Sequence, residues 1–264
     1  MTTHPTTAPP ADAAVDLRVQ AEALRALHTR YAPLLLPNVW DAASAKVVSA
    51  AGFPAVATSS AAVAAMLGLE DGQRAPWQDM FAAAARVASA VAVPVSVDAE
   101  GGYGLTGEAL VQALLELGAV GCNLEDTDHE AGGLKAAEAH AAWLATVRAA
   151  ADRAGVPIVI NARIDTFLPQ AALQGQERIV ETLRRGQLYL DAGADCLYPI
   201  GVRGLDDLTA LVAGLDGPVN GNVSEELTLP VLRELGVARV SFGPSFYRAG
   251  LTSFDAAARA LRDQ

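Results

Sequence analysis

The chain has 264 residues, 52% of them hydrophobic, with 19 Lys and Arg against 30 Asp and Glu and a formal net charge of -11. That apolar content is enough for one well-buried domain, and α/β barrels often reach this length as a single unit. The scattered basic residues leave no basic face, so nucleic-acid binding is excluded, and an anionic ligand needs a local cation to reverse the sign.

Taken in chain order, residues 1–14 (MTTHPTTAPPADAA) read as a disordered arm. They lack the basic start and apolar centre of a signal peptide, and no apolar run in the chain reaches the roughly 18 residues of a membrane span. Helical spacing predicts a helix over 15–29. Eight short apolar runs follow: LLLPNV from Leu34, AVATSS from Ala55, VPVSVD from Val93, AVGCNLE from Ala119, VPIVINA from Val156, ADCLYPI from Ala194, GPVNGN from Gly217 and ARVSF from Ala238. Nearly every position in each run is apolar, as in parallel strands covered on both faces. Amphipathic stretches separate the runs, and several end in a glycine suited to a left-handed helix cap: Gly52, Gly118, Gly193 and Gly236. Cys122 and Cys196 lie inside such runs and read as small buried hydrophobes, not a disulfide, which fits a reducing cytoplasm.

Strand–helix units in this number predict a (β/α)8 TIM-type barrel over residues 15–264, a single domain. A doubly wound sheet usually has a glycine-rich loop after its first strand, and the loop here is WDAASA. The tail at 243–264 adds a C-terminal helix, either to cover the barrel or to leave it for a neighbouring subunit.

Barrel chemistry sits at the C-terminal strand ends. Those ends carry Asn38, Trp40 and Asp41; Thr58, Ser59 and Ser60; Asp98 and Glu100; Glu125 and Asp126; Asn161, Arg163 and Asp165; Tyr198; and Asn220 and Asn222. Residues i and i+2 of a strand point the same way, so Asp98 and Glu100 are expected to aim together, with Glu125 beside them. Three converging carboxylates repel unless protonated or bridged by a cation. An all-oxygen set suits Mg2+ or Mn2+; solvated surface acids are the other reading. Arg163, after an apolar strand, is either a clamp on a substrate carboxylate or an internal partner of Asp165 or Glu125.

These stretches resemble the isocitrate lyase and phosphoenolpyruvate mutase superfamily over roughly residues 36–242. The resemblance rests on WDAASA at Trp40, TSSAAVAAMLGLEDG at Thr58, VDAEGGYG at Val97, LED at Leu124 and INARID at Ile160. It implies a Mg2+-dependent, cytoplasmic lyase-type enzyme acting on a small 2-oxo or 2-hydroxy di- or tricarboxylate through an enolate. It also implies Asp98, Glu100 and Glu125 as metal ligands, with Asp98 the most direct, and Asp71 as a further acid. By the same resemblance the main-chain N–H groups of Ser59, Ser60 and Ala61, together with Arg163, hold substrate. Trp40, Asp41 and Asn220 lie at the matching mouth. The family commonly swaps its last helix between subunits of a homodimer or homotetramer.

Three departures limit the carry-over. The family's lyases have a Lys-Lys/Arg-Cys-Gly-His loop after the fourth strand; here EDTDHEAGGLKAAEAH is shorter and has no cysteine. His129 and Lys135 are the nearby candidates, and His129 reads first as a solvated loop residue and second as a catalytic one. Glu100 stands where an aspartate is usual, and Tyr198 where some relatives have a histidine. Tyr103 is either an acid or a packing residue. A metal-dependent oxo-acid binder without turnover and a phosphonopyruvate-type P–C hydrolase or mutase stay open.

Overall fold

The computed structural model describes residues 11–263. Helix α1 (Ala11–Ala26) starts inside the stretch expected to be an arm; residues 1–10 of that arm lie outside the described residues. The chain then runs β1 (Leu34–Leu36), β2 (Asn38–Val39), α2 (Ala42–Ala50), β3 (Val56–Thr58), α3 (Ser60–Leu67), α4 (Trp77–Ala88), β4 (Val95–Asp98), α5 (Gly107–Glu116), β5 (Gly121–Glu125) and α6 (Ala137–Arg153). It continues with β6 (Val159–Ile164), α7 (Gln176–Asp191), β7 (Cys196–Pro199), α8 (Leu205–Gly214), β8 (Asn220–Asn222), α9 (Leu229–Glu234), β9 (Arg239–Ser241) and α10 (Ser245–Arg262).

Strands β2 to β7 pair in chain order, all parallel. A parallel bridge from Leu197 to Val219 carries the ladder on to β8. Strand β8 then pairs with β9, and β9 with β1. Strands β1 and β2 are one stave interrupted at Pro37, which has no N–H to give to a ladder. The Asn38 side chain spans the break: Nδ2 donates to the Thr58 carbonyl at 2.8 Å, and Oδ1 accepts from the Phe242 and Gly243 amides at 2.8 and 2.9 Å. Counting that stave once, the nine segments close into the expected eight-stranded barrel.

Parallel strands need both faces covered, and the burial of β3 and β5 at every position shows that they are. The helix-ending glycines Gly52, Gly118, Gly193 and Gly236 do adopt left-handed φ values of 86°, 87°, 97° and 83°. Both cysteines are buried and free. Leu24 of α1 fits against Gly121, where a Cβ would come within 2.8 Å of it, so α1 packs onto the barrel beside β5. Inside the barrel a polar layer runs across the staves. Asn161 donates to Asn123 at 2.7 Å, the fully buried Arg239 reaches the same oxygen at 3.1 Å, and Asn220 donates to Ser241 at 3.0 Å.

Helix α10 buries no residue and exposes Phe246, Leu251, Phe254 and Leu261. Its one aromatic tie to the first strand end is Tyr247, edge-on to Trp40 at 5.2 Å between ring centroids. No described helix is long and apolar enough to cross a membrane.

Candidate active site

Asp98 ends β4 as the spacing predicts. Its Oδ2 accepts from the Ser60 amide at 3.0 Å and the Ser60 hydroxyl at 2.9 Å, at the first turn of α3. A helix N-terminus favours a negative charge there. Its Oδ1 is buried and has no hydrogen-bond partner among the described residues, a vacancy suited to a cation. The Ser60 amide, expected to hold a substrate carboxylate, is thus spent on Asp98. The Ser59 amide donates to the Val39 carbonyl, and the Ser59 hydroxyl caps α3.

Glu100 reaches the mouth by a different route from the one expected. The strand stops at Asp98, and Glu100 takes φ 48°, so i, i+2 alternation does not set its direction. Left-handed backbone at a non-glycine costs about 1 kcal/mol or more and persists where surroundings fix it. Two donors fix it here: the Gln73 amide on one carboxylate oxygen and the Tyr103 hydroxyl on the other, the latter at 2.5 Å. Gln73 also accepts from the Tyr103 amide at 2.6 Å, which locks the turn. Burial pushes the Glu100 carboxyl up to about 7, against the hydrogen bond from Tyr103. Burial and the Glu100 charge push the Tyr103 phenol upward as well, so it keeps its proton.

The glycines of this turn make room for side chains, not for a ligand against bare backbone. A Cβ at Gly101 would stand 2.8 Å from Lys135 Nζ and 2.9 Å from Gln73 Nε2; one at Gly102 would run into the Trp143 ring.

Glu125 lies in the last position of β5, beside Arg163 in register. One oxygen pairs with His129 Nε2 and the other with Arg163. Arg163 also grips Asp165 with two bonds, 2.7 Å from Nε and 3.0 Å from Nη2. The arginine therefore adopts the internal-partner reading for both carboxylates at once. Asp126, next in the chain, points outward into a separate network with Arg185 and Tyr189.

One ligand atom each from Glu100, Glu125 and His129 lies within 4.8 Å of the others, an arrangement able to hold a divalent cation. Asp98 stands outside that trio, and the expected all-oxygen set gains a ring nitrogen. His129 is not the solvated loop residue that the sequence suggested first: its side chain is 20% exposed and bonded to Glu125. That bond raises its basicity above the ordinary histidine value, against burial. Loop geometry alone brings it there, and no periodicity in the sequence signals it.

Of the other expected residues, Asp71 stands close enough to Asp98 to feel its charge, and desolvation of the carboxyl and then that charge push it upward. Asp41 caps α2 through a reciprocal pair with Ser44. Asn220 lies in the barrel interior, below the mouth. A cavity of about 990 Å³ opens beside the trio, lined by Trp77, Tyr103, His129, Lys135 and Trp143 among others. Lys135 was named from the sequence only as a nearby candidate on the shortened loop, and Trp143 was not named at all.

The family model for phosphoenolpyruvate phosphomutase matches residues 24–262. The chain belongs to that family. This phosphomutase-family protein is 36% identical to an uncharacterised protein of Mycobacterium tuberculosis (strain ATCC 25618 / H37Rv), over 90% of this chain and 88% of that one. It is 28% identical to 2-methylisocitrate lyase of Escherichia coli (strain K12), over 89% and 82% of the two chains. A solved structure from Burkholderia cenocepacia J2315, provisionally described as a phosphonomutase, superposes with a TM-score of 0.86 at 40% identity. It covers 91% of this chain and 99% of that one. The barrel and the family read from the strand-end motifs are thus both found.

Proposed function

We propose that this protein is a Mg2+-dependent lyase-type enzyme, with Mn2+ as a substitute. Its substrate would be a small 2-oxo or 2-hydroxy di- or tricarboxylate, cleaved or decarboxylated through an enolate. The observation that carries this reading is the trio of Glu100, Glu125 and His129, with the unpartnered Asp98 oxygen beside it. Two carboxylates with raised proton affinity and a third with a vacant oxygen fit a hard divalent cation better than they fit an empty site. When bound, such an ion offers charge that stabilises a developing enolate oxygen.

The chain's own residues carry the rest. Arg163, anchored by Asp165, holds Glu125 in place. Ser60 orients Asp98. Two rings hold the carboxylates of the trio: Tyr103 on Glu100 and, from within the trio, His129 on Glu125. His129 is assigned to the cation as its one nitrogen donor, with Glu125 holding the ring in place. The Tyr103 phenol, which keeps its proton, is the group we assign to hold the Glu100 carboxylate in place for the cation.

The test is a panel of oxo and hydroxy acids, with phosphonopyruvate included, assayed with Mg2+ and with EDTA. Turnover that EDTA abolishes and that Asp98→Ala removes is the expected result. Metal affinity and turnover unchanged in Asp98→Ala would sink the site assignment.

For assembly, the unburied apolar side chains of α10 support a homodimer or homotetramer in which this helix packs on a second subunit. Light scattering on Phe254→Ser with Leu261→Ser should show a smaller species than the wild type.

A further inference from the structure

The basic groups at the barrel mouth and along the 990 Å³ cavity beside it are not equivalent. Arg74 is exposed and paired with Glu70. His129 is paired with Glu125. Arg163, the expected substrate clamp, is saturated by two carboxylates. Lys135 differs from all three. Its Nζ touches only main-chain carbonyls, Gly101 at 3.0 Å and Glu125 at 3.5 Å, and it makes no ion pair among the described residues. An ammonium group has three protons to donate, so one remains for a ligand.

The position of Lys135 is also fixed. Its ammonium lies 5.8 Å from the centroid of the Trp143 ring, and that ring is held by a 3.0 Å bond from Nε1 to the Leu105 carbonyl. The absence of side chains at Gly101 and Gly102 is what admits Lys135 and Trp143 to the turn that carries Glu100. Burial lowers the proton affinity of Lys135, and the nearby Glu125 and Asp126 raise it. A half-buried, unpaired cation in a chain of net charge -11 is the group an anion would seek.

We propose that Lys135, walled by Trp143, Trp77 and Tyr103, is the subsite for a second anionic group, so that the enzyme selects 2-oxo acids with a distal carboxylate over monoacids of equal length. This rests on the reading of the trio as the metal-bound oxo-acid end.

The experiment is calorimetric titration of the Mn2+-loaded protein with three probes. Oxalate reports the metal end alone, whereas 2-oxoglutarate and 2-oxopentanoate share a chain length and differ in the distal carboxylate. Wild type should bind 2-oxoglutarate about tenfold tighter than 2-oxopentanoate. Lys135→Met should erase that preference and leave oxalate unchanged, and Lys135→Arg should keep most of it. A preference that survives in Lys135→Met overturns the inference. An equal loss of oxalate binding in that variant overturns it too, because Lys135 would then act on the metal end or on folding. A wild type that binds none of the three probes would instead overturn the oxo-acid reading itself.

Discussion

Glu125 and Asp126 are neighbours on one strand end, both buried and each paired with an arginine, yet they belong to different regions. Glu125 faces the barrel mouth, where its partners are His129 and Arg163 and the cavity is adjacent. Asp126 faces outward, between the strands and α7. It accepts from the Asp165 amide at 2.9 Å, Arg185 at 2.9 Å and the Tyr189 hydroxyl at 2.7 Å. Burial and an arginine partner therefore do not mark a functional acid. What separates the two is satisfaction: the outward carboxylate has three firm donors, whereas the mouth crowds several acids together and leaves an Asp98 oxygen without any.

The largest expected effect is on the outward side. Asp126→Ala leaves the Arg185 charge buried with only Glu181 as a carboxylate partner. Removing one member of a buried pair costs about 3–5 kcal/mol, which in a chain of this size is a fall in melting temperature of about 10 °C. Calorimetry that found Asp126→Ala as stable as the wild type would erase the distinction. Glu125→Gln, at the mouth, should melt within a few degrees of the wild type yet bind Mn2+ about 100-fold more weakly, since it replaces a charged ligand atom by an amide. A large loss of stability with intact Mn2+ binding would reverse the roles of the two residues.

The strand alternation that separates Glu125 from Asp126 is legible in the sequence, because consecutive strand residues point to opposite faces. So are Asp98 and Arg163, polar residues closing apolar runs. Glu100 is legible in place but not in cause: alternation suggested its direction, and a left-handed turn held by Gln73 and Tyr103 delivers it. His129 and Lys135 were named as candidates on the loop, but the bond of His129 to Glu125 and the pairing of Lys135 with Trp143 were not readable. They meet it only because loops after three different strands converge, and no periodicity encodes that convergence. Arg163 shows a further limit, since its two possible partners were both named and the structure uses both.

A smaller effect sharpens the mouth. The Glu100 carboxyl is raised to about 7 in the folded protein, so its contribution to stability is present in acid and is lost as pH rises through that value. Metal-free wild type should therefore lose stability relative to Glu100→Gln between about pH 5 and pH 8. Added Mn2+ should raise the melting temperature more at pH 8 than at pH 5.5, because the ligands must shed protons to bind it. A metal effect independent of pH would speak against carboxylate ligation at Glu100.

The smallest effect separates two histidines that the sequence does not tell apart. His129, at the mouth, has its proton affinity raised by its bond to Glu125. His140, buried on α6 against Tyr189 at 5.1 Å and Trp143 at 5.6 Å, is lowered to about 3 by burial and by the charges of Lys135 and Arg185. With a depressed folded value, His140 contributes stability above the unfolded value of 6.5 and loses it as pH falls toward 3. Each unit within that window is worth up to about 1.4 kcal/mol. Glu100 acts in the opposite direction over part of the same range, so the wild-type curve alone cannot isolate either group. The difference between His140→Leu and the wild type can, because the Glu100 contribution is common to both and cancels. That difference should shift steadily in favour of His140→Leu as pH drops from 6.5 to 4.5, by about 1–2 kcal/mol. The corresponding difference for His129→Asn should stay nearly flat over that interval and move only above pH 6.5, where the wild type loses the stability that a raised value gives. If both curves instead change over the same acid interval, the mouth and the outward face are one electrostatic region, and the contrast between Glu125 and Asp126 is one of neighbours, not of function.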